Sequence, residues 1–307
     1  MTLYILVCLA LAVIFGGAYY AYRIPFYSSA KRSDAPPTLT GTQYEPHRAE
    51  ISRLYHQLKD RPFESITIHS REGLALHGRY YHCADGAPLD IGFHGYRSSY
   101  VTDFAGGSEL SFRMGHNLLL IDQRAHGKSE GRTITFGIKE RQDLLCWVNY
   151  ALDRFGKDTR ILLYGVSMGA ATVLMASELE LPDNVKAIIA DCPYSSPLDI
   201  ILAVGKQTGY PPKLIRPFVI LGAKIYGGFD VQQTSAREAV THTRVPILII
   251  HGEADSFVPA EMSRIIQEAN PRMVTRYTIP GAEHAISYLV DTPTYHRIVT
   301  DFVNQVL

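Results

Sequence analysis

The chain begins with an apolar segment in which residues 3–22 carry no charged side chain. A helix of that length spans about 30 Å, the thickness of the hydrocarbon core of a bilayer. Aromatic side chains crowd its carboxyl end beside Arg23, as in interfacial aromatic belts. The pattern predicts a transmembrane anchor over residues 1–22. A cleaved signal peptide and a buried helix of a soluble fold are the alternatives, and no basic region precedes the apolar run to favour the first.

Basic side chains follow the apolar segment, and none precedes it. Under the positive-inside rule, Arg23, Lys31 and Arg32 predict that the bulk of the chain lies in the cytoplasm. We therefore expect a single-pass membrane protein whose catalytic domain faces the cytoplasm.

Residues 31–43 are polar, contain a Pro-Pro pair and show no apolar period, which indicates an extended tether. At 46–59, apolar positions recur at helical spacing and predict an amphipathic helix against the folded body. The expected organisation is an anchor over 1–22, a linker with the amphipathic helix over 23–60, and a folded domain over 61–307.

Beyond residue 61, short apolar runs alternate with stretches of helical period. Two alternating runs at 63–69 and 74–82 flank a turn and predict a β-hairpin. Six further strands are expected at 91–94, 118–122, 161–164, 185–190, 247–251 and 274–279. Helices are expected at 139–155, 168–180, 259–269 and 293–306. This order predicts an α/β fold with a mostly parallel sheet of about eight strands and helices on both faces.

About fifty residues, 193–244, separate two of these strands, where a simple crossover needs far fewer. They contain two expected helices, 198–207 and 213–226, of which the second is strongly apolar. Because the insertion follows a strand end, where α/β sheets bind ligands, we interpret it as a helical cap over a pocket. Two helices that only cover the sheet edge are the alternative.

The most specific local motif is Gly165-Val166-Ser167-Met168-Gly169, which lies between a predicted strand and a predicted helix. A serine exposed on such a tight turn adopts a strained backbone, and the residues two before and two after it must be small. Gly165 and Gly169 meet that demand. The motif predicts that Ser167 is a nucleophile.

A serine hydroxyl needs a base, and the base needs a carboxylate to orient it. Asp255 follows one predicted strand and His284 follows the next, so the three occur in the order Ser167, Asp255, His284 expected after such a turn. Asp191 and Glu253 are alternative acids. The alternative bases lie in loops or at strand ends: His94, His126 and His251.

The loop after the strand at 91–94 begins with His94-Gly95-Tyr96. Gly95 allows the backbone to approach the serine closely. We assign the backbone amides of Tyr96 and Met168 to an oxyanion hole. An ordinary strand-to-loop glycine is the alternative.

Composition and the absence of certain motifs argue against several classes of partner and cofactor. The 307 residues carry 30 basic and 30 acidic side chains, and this balance argues against a nucleic-acid partner. The four cysteines form no CxxC pair and indicate reduced thiols. The sequence contains no HExxH, GxGxxG or GxxxxGK[ST] motif, so we expect catalysis without a cofactor or metal.

Five segments together resemble the α/β-hydrolase superfamily from about residue 61 to the end. They are HGYRSS at 94–99, DQRAHGKSEG at 122–131, GVSMGA at 165–170, HGEADSFVP at 251–259 and GAEHA at 281–285. Within the superfamily the chain is most similar to bacterial membrane-anchored serine hydrolases of the monoacylglycerol lipase and serine aminopeptidase-like group. The resemblance implies Ser167 as nucleophile, Asp255 as acid and His284 as base. Ala125 departs from the glycine that is commoner in the second segment.

The expected activity is hydrolysis of a small-molecule carboxylic ester through an acyl-enzyme. Five apolar residues of the cap hint at an acyl or aromatic group in the pocket: Leu214, Ile215, Phe218, Val219 and Ile220. A serine amidase or aminopeptidase-like enzyme and a non-catalytic binding protein of the same fold are the alternatives. The oligomeric state stays open.

Overall fold

The computed structural model describes residues 1–29 and 42–307. Most of the extended tether expected at 31–43, including Lys31 and Arg32, lies outside the described residues.

Eight strands form one sheet in the described chain. They are β1 Glu64–His69, β2 Ala75–Tyr81, β3 Leu89–Phe93, β4 Asn117–Ile121, β5 Ile161–Val166, β6 Val185–Asp191, β7 Ile247–Gly252 and β8 Val274–Ile279. Their spatial order is β1-β2-β4-β3-β5-β6-β7-β8. β2 pairs antiparallel with β1 and with β4, while the pairs from β4 onward are parallel. The expected mostly parallel sheet is therefore confirmed.

Helices cover both faces of this sheet. They are α1 Thr2–Arg23, α2 Arg48–Lys59, α3 Tyr100–Asp103, α4 Ala105–Arg113, α5 Glu140–Phe155, α6 Met168–Ala176, α7 Pro197–Gln207, α8 Pro212–Ile225, α9 Ala236–Ala239, α10 Glu261–Ala269, α11 Ser287–Val290 and α12 Thr292–Val306. One face packs on α5, α6 and α10, and the other packs on α2, α4 and α12. The central strands are buried on both faces, which explains why they read as continuous apolar runs.

Helices α3 and α4, which are the next elements after β3, have no counterpart among the elements expected from the sequence. Gly106 and Gly107 lie inside α4, and glycine disfavours a helix by about 1 kcal/mol relative to alanine. Packing explains Gly106, because a Cβ there would lie 2.6 Å from the Tyr288 ring. The tertiary contact therefore overrides the low helix propensity of this segment.

The insertion expected at 193–244 contains α7, α8 and α9. α7 and α8 pack against each other, and α8 also packs along α1. The expected cap is thus helical, and its second helix contacts the amino-terminal helix as well as the domain.

Helix α1 is long and apolar enough to cross a membrane. Residues 1–15 are exposed, whereas Ala18 and Tyr22 are buried against the rest of the protein. The chain after α1 continues along the domain surface, where Phe26 is fully buried and Tyr27 forms a β-bridge with Thr133. The carboxyl third of α1 is therefore fixed to the folded domain.

Candidate active site

Ser167 lies on a sharp turn between β5 and α6. Its backbone has φ 53° and ψ −110°, a left-handed conformation that is strained for a residue with a side chain. A Cβ on Gly165 would lie 2.3 Å from the Gly169 carbonyl oxygen, and one on Gly169 would lie 1.8 Å from that of Phe93. The start of α6 therefore lies so close to β5 and to the end of β3 that only glycine fits at positions 165 and 169.

The structure brings Ser167, His284 and Asp255 into one hydrogen-bonded chain. Ser167 Oγ lies 3.0 Å from His284 Nε2, and His284 Nδ1 lies 2.7 Å from Asp255 Oδ2. The Asp255 carboxylate can only accept, so in a neutral His284 ring the proton is on Nδ1, which donates to Asp255. Nε2 is then free of a proton and accepts from the serine hydroxyl. This arrangement can remove a proton from Ser167 and stabilise the imidazolium that results.

The loops after β7 and β8 hold His284 and Asp255 together. The Ala254 amide donates to the Ala282 carbonyl at 2.9 Å. A Cβ on Gly252 would lie 2.3 Å from that same carbonyl oxygen. Because two neighbouring parallel strands end at the same edge of the sheet, residues 29 positions apart reach hydrogen-bond distance.

The Asp255 carboxylate is held by several donors. The Phe257 and Val258 amides donate to Oδ1 at 3.0 and 2.8 Å, and His251 Nε2 donates to Oδ2 at 3.2 Å. Burial raises the pKa of Asp255, but the hydrogen bonds from His251 and His284 outweigh burial and lower the pKa to about 2. The carboxylate therefore stays ionised throughout the neutral range.

Of the two amides expected to form an oxyanion hole, that of Met168 follows Ser167 directly, and that of Tyr96 lies in a loop next to the serine. Met168 is the first residue of α6, so its amide has no acceptor within the helix. A Cβ built on Gly95 would lie 3.4 Å from Ser167 Cβ, so the loop that carries Tyr96 passes beside the serine. The role of the Tyr96 and Met168 amides stays a prediction.

A cavity of about 480 Å³ adjoins Ser167 and lies under the cap. Three of the five apolar cap residues expected near a ligand line it: Ile215, Phe218 and Val219. Leu214 is exposed instead, and Ile220 packs against the core. A volume of this size suits a small organic ligand, and its lining is mostly apolar.

Comparisons with known proteins agree with the fold described above. A family model described as the alpha/beta hydrolase fold matches residues 92–242. The esterase Pf2001 of Pyrococcus furiosus aligns with a TM-score of 0.67 at 22% identity, over 90% of this chain and 99% of that one. The chain has the α/β-hydrolase fold. Est1E of Butyrivibrio proteoclasticus, solved with ferulic acid, aligns with a TM-score of 0.60 at 22% identity, over 78% of this hydrolase-fold chain and 98% of Est1E.

Proteins similar in sequence to this chain include uncharacterized bacterial proteins. YqkD of Bacillus subtilis is 29% identical over 197 residues, which are 64% of each chain, so the match spans less than two thirds of YqkD. YfhR of Salmonella typhi is 25% identical over 236 residues, 72% of this chain and 74% of YfhR. Membership of the narrower monoacylglycerol lipase-like group stays a prediction.

The alternative acids have other partners. Asp191 accepts from the Tyr295 hydroxyl at 3.0 Å, and Glu253 accepts from the Thr278 hydroxyl at 2.6 Å. Burial raises the pKa of Asp191 to about 6, although the Tyr295 hydrogen bond lowers it. Asp255 is the acid that contacts His284.

Two of the alternative bases stabilise loops. His94 Nε2 accepts from the Gln123 amide at 3.1 Å, and His126 Nε2 accepts from the Arg97 amide at 3.0 Å. The third, His251, is fully buried and contacts Asp255 and the Val258 carbonyl, at 2.9 Å from the latter. From the sequence, His251 is an alternative base, and no sequence signal separates that role from a contact with the acid.

Asp103 is a second residue that the sequence analysis did not single out. Its carboxylate accepts from the Gly95 amide and from the Ser98 hydroxyl, each at 2.6 Å. These bonds fix the loop that carries Tyr96 beside Ser167. Asp103 lies on the unpredicted helix α3, so the sequence offered no signal for this contact.

The segment DQRAHGKSEG is joined to neighbouring parts of the chain through Arg124. Arg124 forms a bidentate ion pair with Asp143 at 2.6 and 2.7 Å and also contacts Glu72 at 2.6 Å. Ala125 has φ 62°, a conformation that glycine adopts without strain. This explains why glycine is commoner there in the resembling family.

A possible metal-ligand set overlaps the hydrogen-bonded chain. The ligand atoms of Cys192, Asp255 and His284 lie within 4.8 Å of one another. Both ring nitrogens of His284 already make hydrogen bonds, and burial raises the pKa of the Cys192 thiol well above its ordinary value. A metal would therefore have to compete with the contact between His284 and Ser167.

The tight turn at Ser167 makes a testable prediction. In Gly169→Ala the added Cβ meets the Phe93 backbone, which cannot move away cheaply, so we expect a fall in Tm of roughly 5 °C or more. The matched control is Gly107→Ala, because a Cβ there makes only an ordinary contact, 3.5 Å from Phe104. The control is expected to gain about 0.5–1 kcal/mol of stability from its higher helix propensity. Equal melting temperatures for the two variants would contradict the close approach.

Proposed function

We propose that this protein is a serine hydrolase that cleaves carboxylic esters through an acyl-enzyme on Ser167. The observation that carries the proposal is the 3.0 Å contact between Ser167 Oγ and His284 Nε2, on a turn that faces an apolar cavity. The esterases among the solved structures of this fold support the same class of reaction.

The first step is attack by the serine. His284 Nε2 accepts the hydroxyl proton of Ser167 as Oγ bonds to the ester carbonyl carbon. The ring then carries a positive charge, which the ionised Asp255 stabilises through the 2.7 Å hydrogen bond at Nδ1. The low pKa of Asp255 keeps the carboxylate from taking the Nδ1 proton.

The carbonyl oxygen becomes negatively charged during this attack. The amides of Met168 and Tyr96 would donate to it, and one such donor is typically worth about 10²- to 10³-fold in rate. Met168 begins α6, so the positive end of the helix dipole also faces the oxyanion.

The leaving alcohol then takes the proton that His284 holds, and the ester C–O bond breaks. A water molecule repeats the sequence on the acyl-enzyme: His284 takes a water proton, the hydroxyl bonds to the acyl carbon, and Ser167 Oγ leaves with the proton. The products are a carboxylic acid and an alcohol. Every proton transfer in this cycle uses His284 Nε2, and none calls for a cofactor.

Two arguments favour esters over amides. An alkoxide leaving group needs less protonation than an amine, so it makes weaker demands on His284. The cavity beside Ser167 is lined mainly by aliphatic and aromatic side chains, which suit an acyl or aromatic group better than a polar peptide.

The substitution Ser167→Ala tests the nucleophile. We expect it to lower the kcat for p-nitrophenyl esters by about 10⁴-fold or more, since the acyl-enzyme can no longer form. It should also abolish labelling by a fluorophosphonate. The matched control is Ser256→Ala, which changes an exposed serine in the loop of Asp255. Turnover is measured on acyl esters of increasing length and on aminoacyl anilides.

Each outcome of that panel is informative. Ester turnover that needs Ser167 and exceeds anilide turnover supports the proposal. Faster release of amines from the anilides would make the enzyme an amidase. Full ester turnover by Ser167→Ala, or none by the wild type, would remove Ser167 from the mechanism.

His251 acts on Asp255, and this makes it a positioning residue. In His251→Phe the buried donor to Asp255 Oδ2 is lost, and a charged hydrogen bond of roughly 1.5 kcal/mol corresponds to about a 10-fold lower kcat. KM should stay the same, because His251 does not line the cavity. His251→Gln restores a donor and should recover most of the rate. A folded His251→Phe with wild-type kcat would show that the contact has no role in turnover.

We also propose that α1 anchors the protein in a membrane with the catalytic domain in the cytoplasm. The length and apolar composition of α1 support the anchor, and Arg23 at its carboxyl end supports the orientation. Reporter fusions at the carboxyl terminus of the full chain are expected to give a cytoplasmic readout. An external readout would reverse the orientation and leave the chemistry unchanged.

A further inference from the structure

Helix α1 forms part of the wall of the cavity beside Ser167. Gly17, Tyr20 and Ala21 line the cavity from the last two turns of α1, and Ile24 and Pro25 line it just beyond the helix. The remaining walls come from the loops around Ser167 and from the cap helices α7 and α8. A segment with the length of a membrane anchor thus belongs to the substrate site.

The loop proposed to bind the oxyanion also holds the end of α1. The Tyr96 hydroxyl donates to the Pro25 carbonyl at 2.8 Å, and the Arg97 guanidinium donates to the Ile24 and Tyr27 carbonyls at 2.7 and 3.1 Å. A membrane anchor joined by a free tether would need none of these contacts. They fix the end of α1 at one position relative to Ser167.

Helix α8 packs along the same part of α1 at close range. A Cβ on Gly222 would lie 2.4 Å from the Ala18 carbonyl oxygen, and the Phe218 ring lies against Gly17. The Tyr226 hydroxyl donates to the Phe15 carbonyl at 3.2 Å. Small residues that bring helix backbones together are typical of helix pairs in membranes.

The length of α1 determines how deep in a bilayer the residues that contact α8 would lie. Residues 2–16 span about 22 Å at 1.5 Å per residue, which is short of the ~30 Å hydrocarbon core. Residues 17–22 add about 9 Å, and they carry no charge before Arg23. If α1 spans the bilayer, the segment that lines the cavity must therefore lie within the hydrocarbon or at its edge.

The exposed surface of α8 fits that position. Leu214 and Ile225 are exposed large apolar side chains on this helix. Its three charged residues are all basic and exposed: Lys213, Arg216 and Lys224. A helix with exposed apolar side chains and only basic charges suits the surface of an anionic membrane.

We propose that α1 is a wall of the substrate site and that the ester is a membrane lipid whose acyl chain reaches Ser167 from the bilayer between α1 and α8. The proposal rests on the serine hydrolase function and names its substrate class. The cavity volume suits one acyl chain. Ser167 Oγ bonds to the acyl carbon, the lipid C–O bond breaks, and the lipid alcohol leaves with the proton from His284. Water then releases the fatty acid.

A chain-labelled probe tests this placement directly. Full-length protein in vesicles of anionic and neutral phospholipids is treated with a fluorophosphonate that carries a long alkyl chain with a diazirine near its end. After illumination, mass spectrometry maps where the chain has inserted. We expect crosslinks in the peptides that contain residues 17–25 and 214–226, with phosphorus on Ser167.

The outcomes separate the two proposals. Phosphorus on Ser167 with crosslinks on α7 and the loops but none on α1 would overturn the role of α1 and keep the serine hydrolase. Failure of the probe to label Ser167 at all would overturn the proposed function itself. A short-chain fluorophosphonate in parallel shows whether the serine reacts in the absence of a long chain.

A pair of variants on α1 provides a kinetic test. Ala21→Trp fills the cavity from the α1 side and should lower the ratio of long-chain to short-chain kcat/KM at least 10-fold. The matched control is Val13→Trp, because Val13 lies on the exposed part of α1, outside the cavity lining, and should leave the ratio unchanged. The milder Ala21→Leu keeps the test valid if Ala21→Trp does not fold. Equal ratios in a folded Ala21 variant and Val13→Trp would contradict the proposal.

Discussion

The proposed chemistry depends on the hydrogen bond between Ser167 and His284. The two residues are 117 positions apart in the chain, and their side-chain atoms lie 3.0 Å apart. This distance depends on two places where backbone segments pack in close contact. In one, β5 and α6 are in close contact between Gly165 and Gly169. In the other, Gly252 at the end of β7 is in close contact with the loop after β8. In each, a single methyl group would collide with a carbonyl oxygen. The sheet therefore positions the site through contacts that only glycine allows.

Two buried carboxyls at neighbouring strand ends behave in opposite ways. Asp255 has four hydrogen-bond donors, and they lower its pKa to about 2 in spite of burial. Asp191 accepts one hydrogen bond, from the Tyr295 hydroxyl to Oδ2, and its Oδ1 has no partner among the described residues. Burial raises the pKa of Asp191 to about 6. Both carboxyls are buried, and the additional hydrogen-bond donors of Asp255 account for its lower pKa.

Most of the fold could be predicted from the sequence, because buried parallel strands are continuous apolar runs and amphipathic helices have apolar residues at helical spacing. The sequence also indicated Ser167, Asp255 and His284, which follow strands whose ends share one edge of the sheet. Contacts between distant segments left no such pattern. Asp103 lies on α3, a helix of only 4 residues that is too short to show an apolar period. The buried contact between His251 and Asp255 likewise gives no periodic signal. The packing of α1 on the cap was missed for the same reason, since an anchor and a cavity wall have the same apolar composition.

The central claim is that Ser167 becomes acylated during turnover. The most direct measurement is rapid mixing of the full-length protein with a p-nitrophenyl ester, followed by acid quench and mass spectrometry of the intact chain and its peptides. The account predicts a burst of nitrophenol of up to one equivalent per chain, with the acyl group on the peptide that contains Ser167. An acyl group on another residue, or turnover in which the quenched chain never carries one, would contradict it.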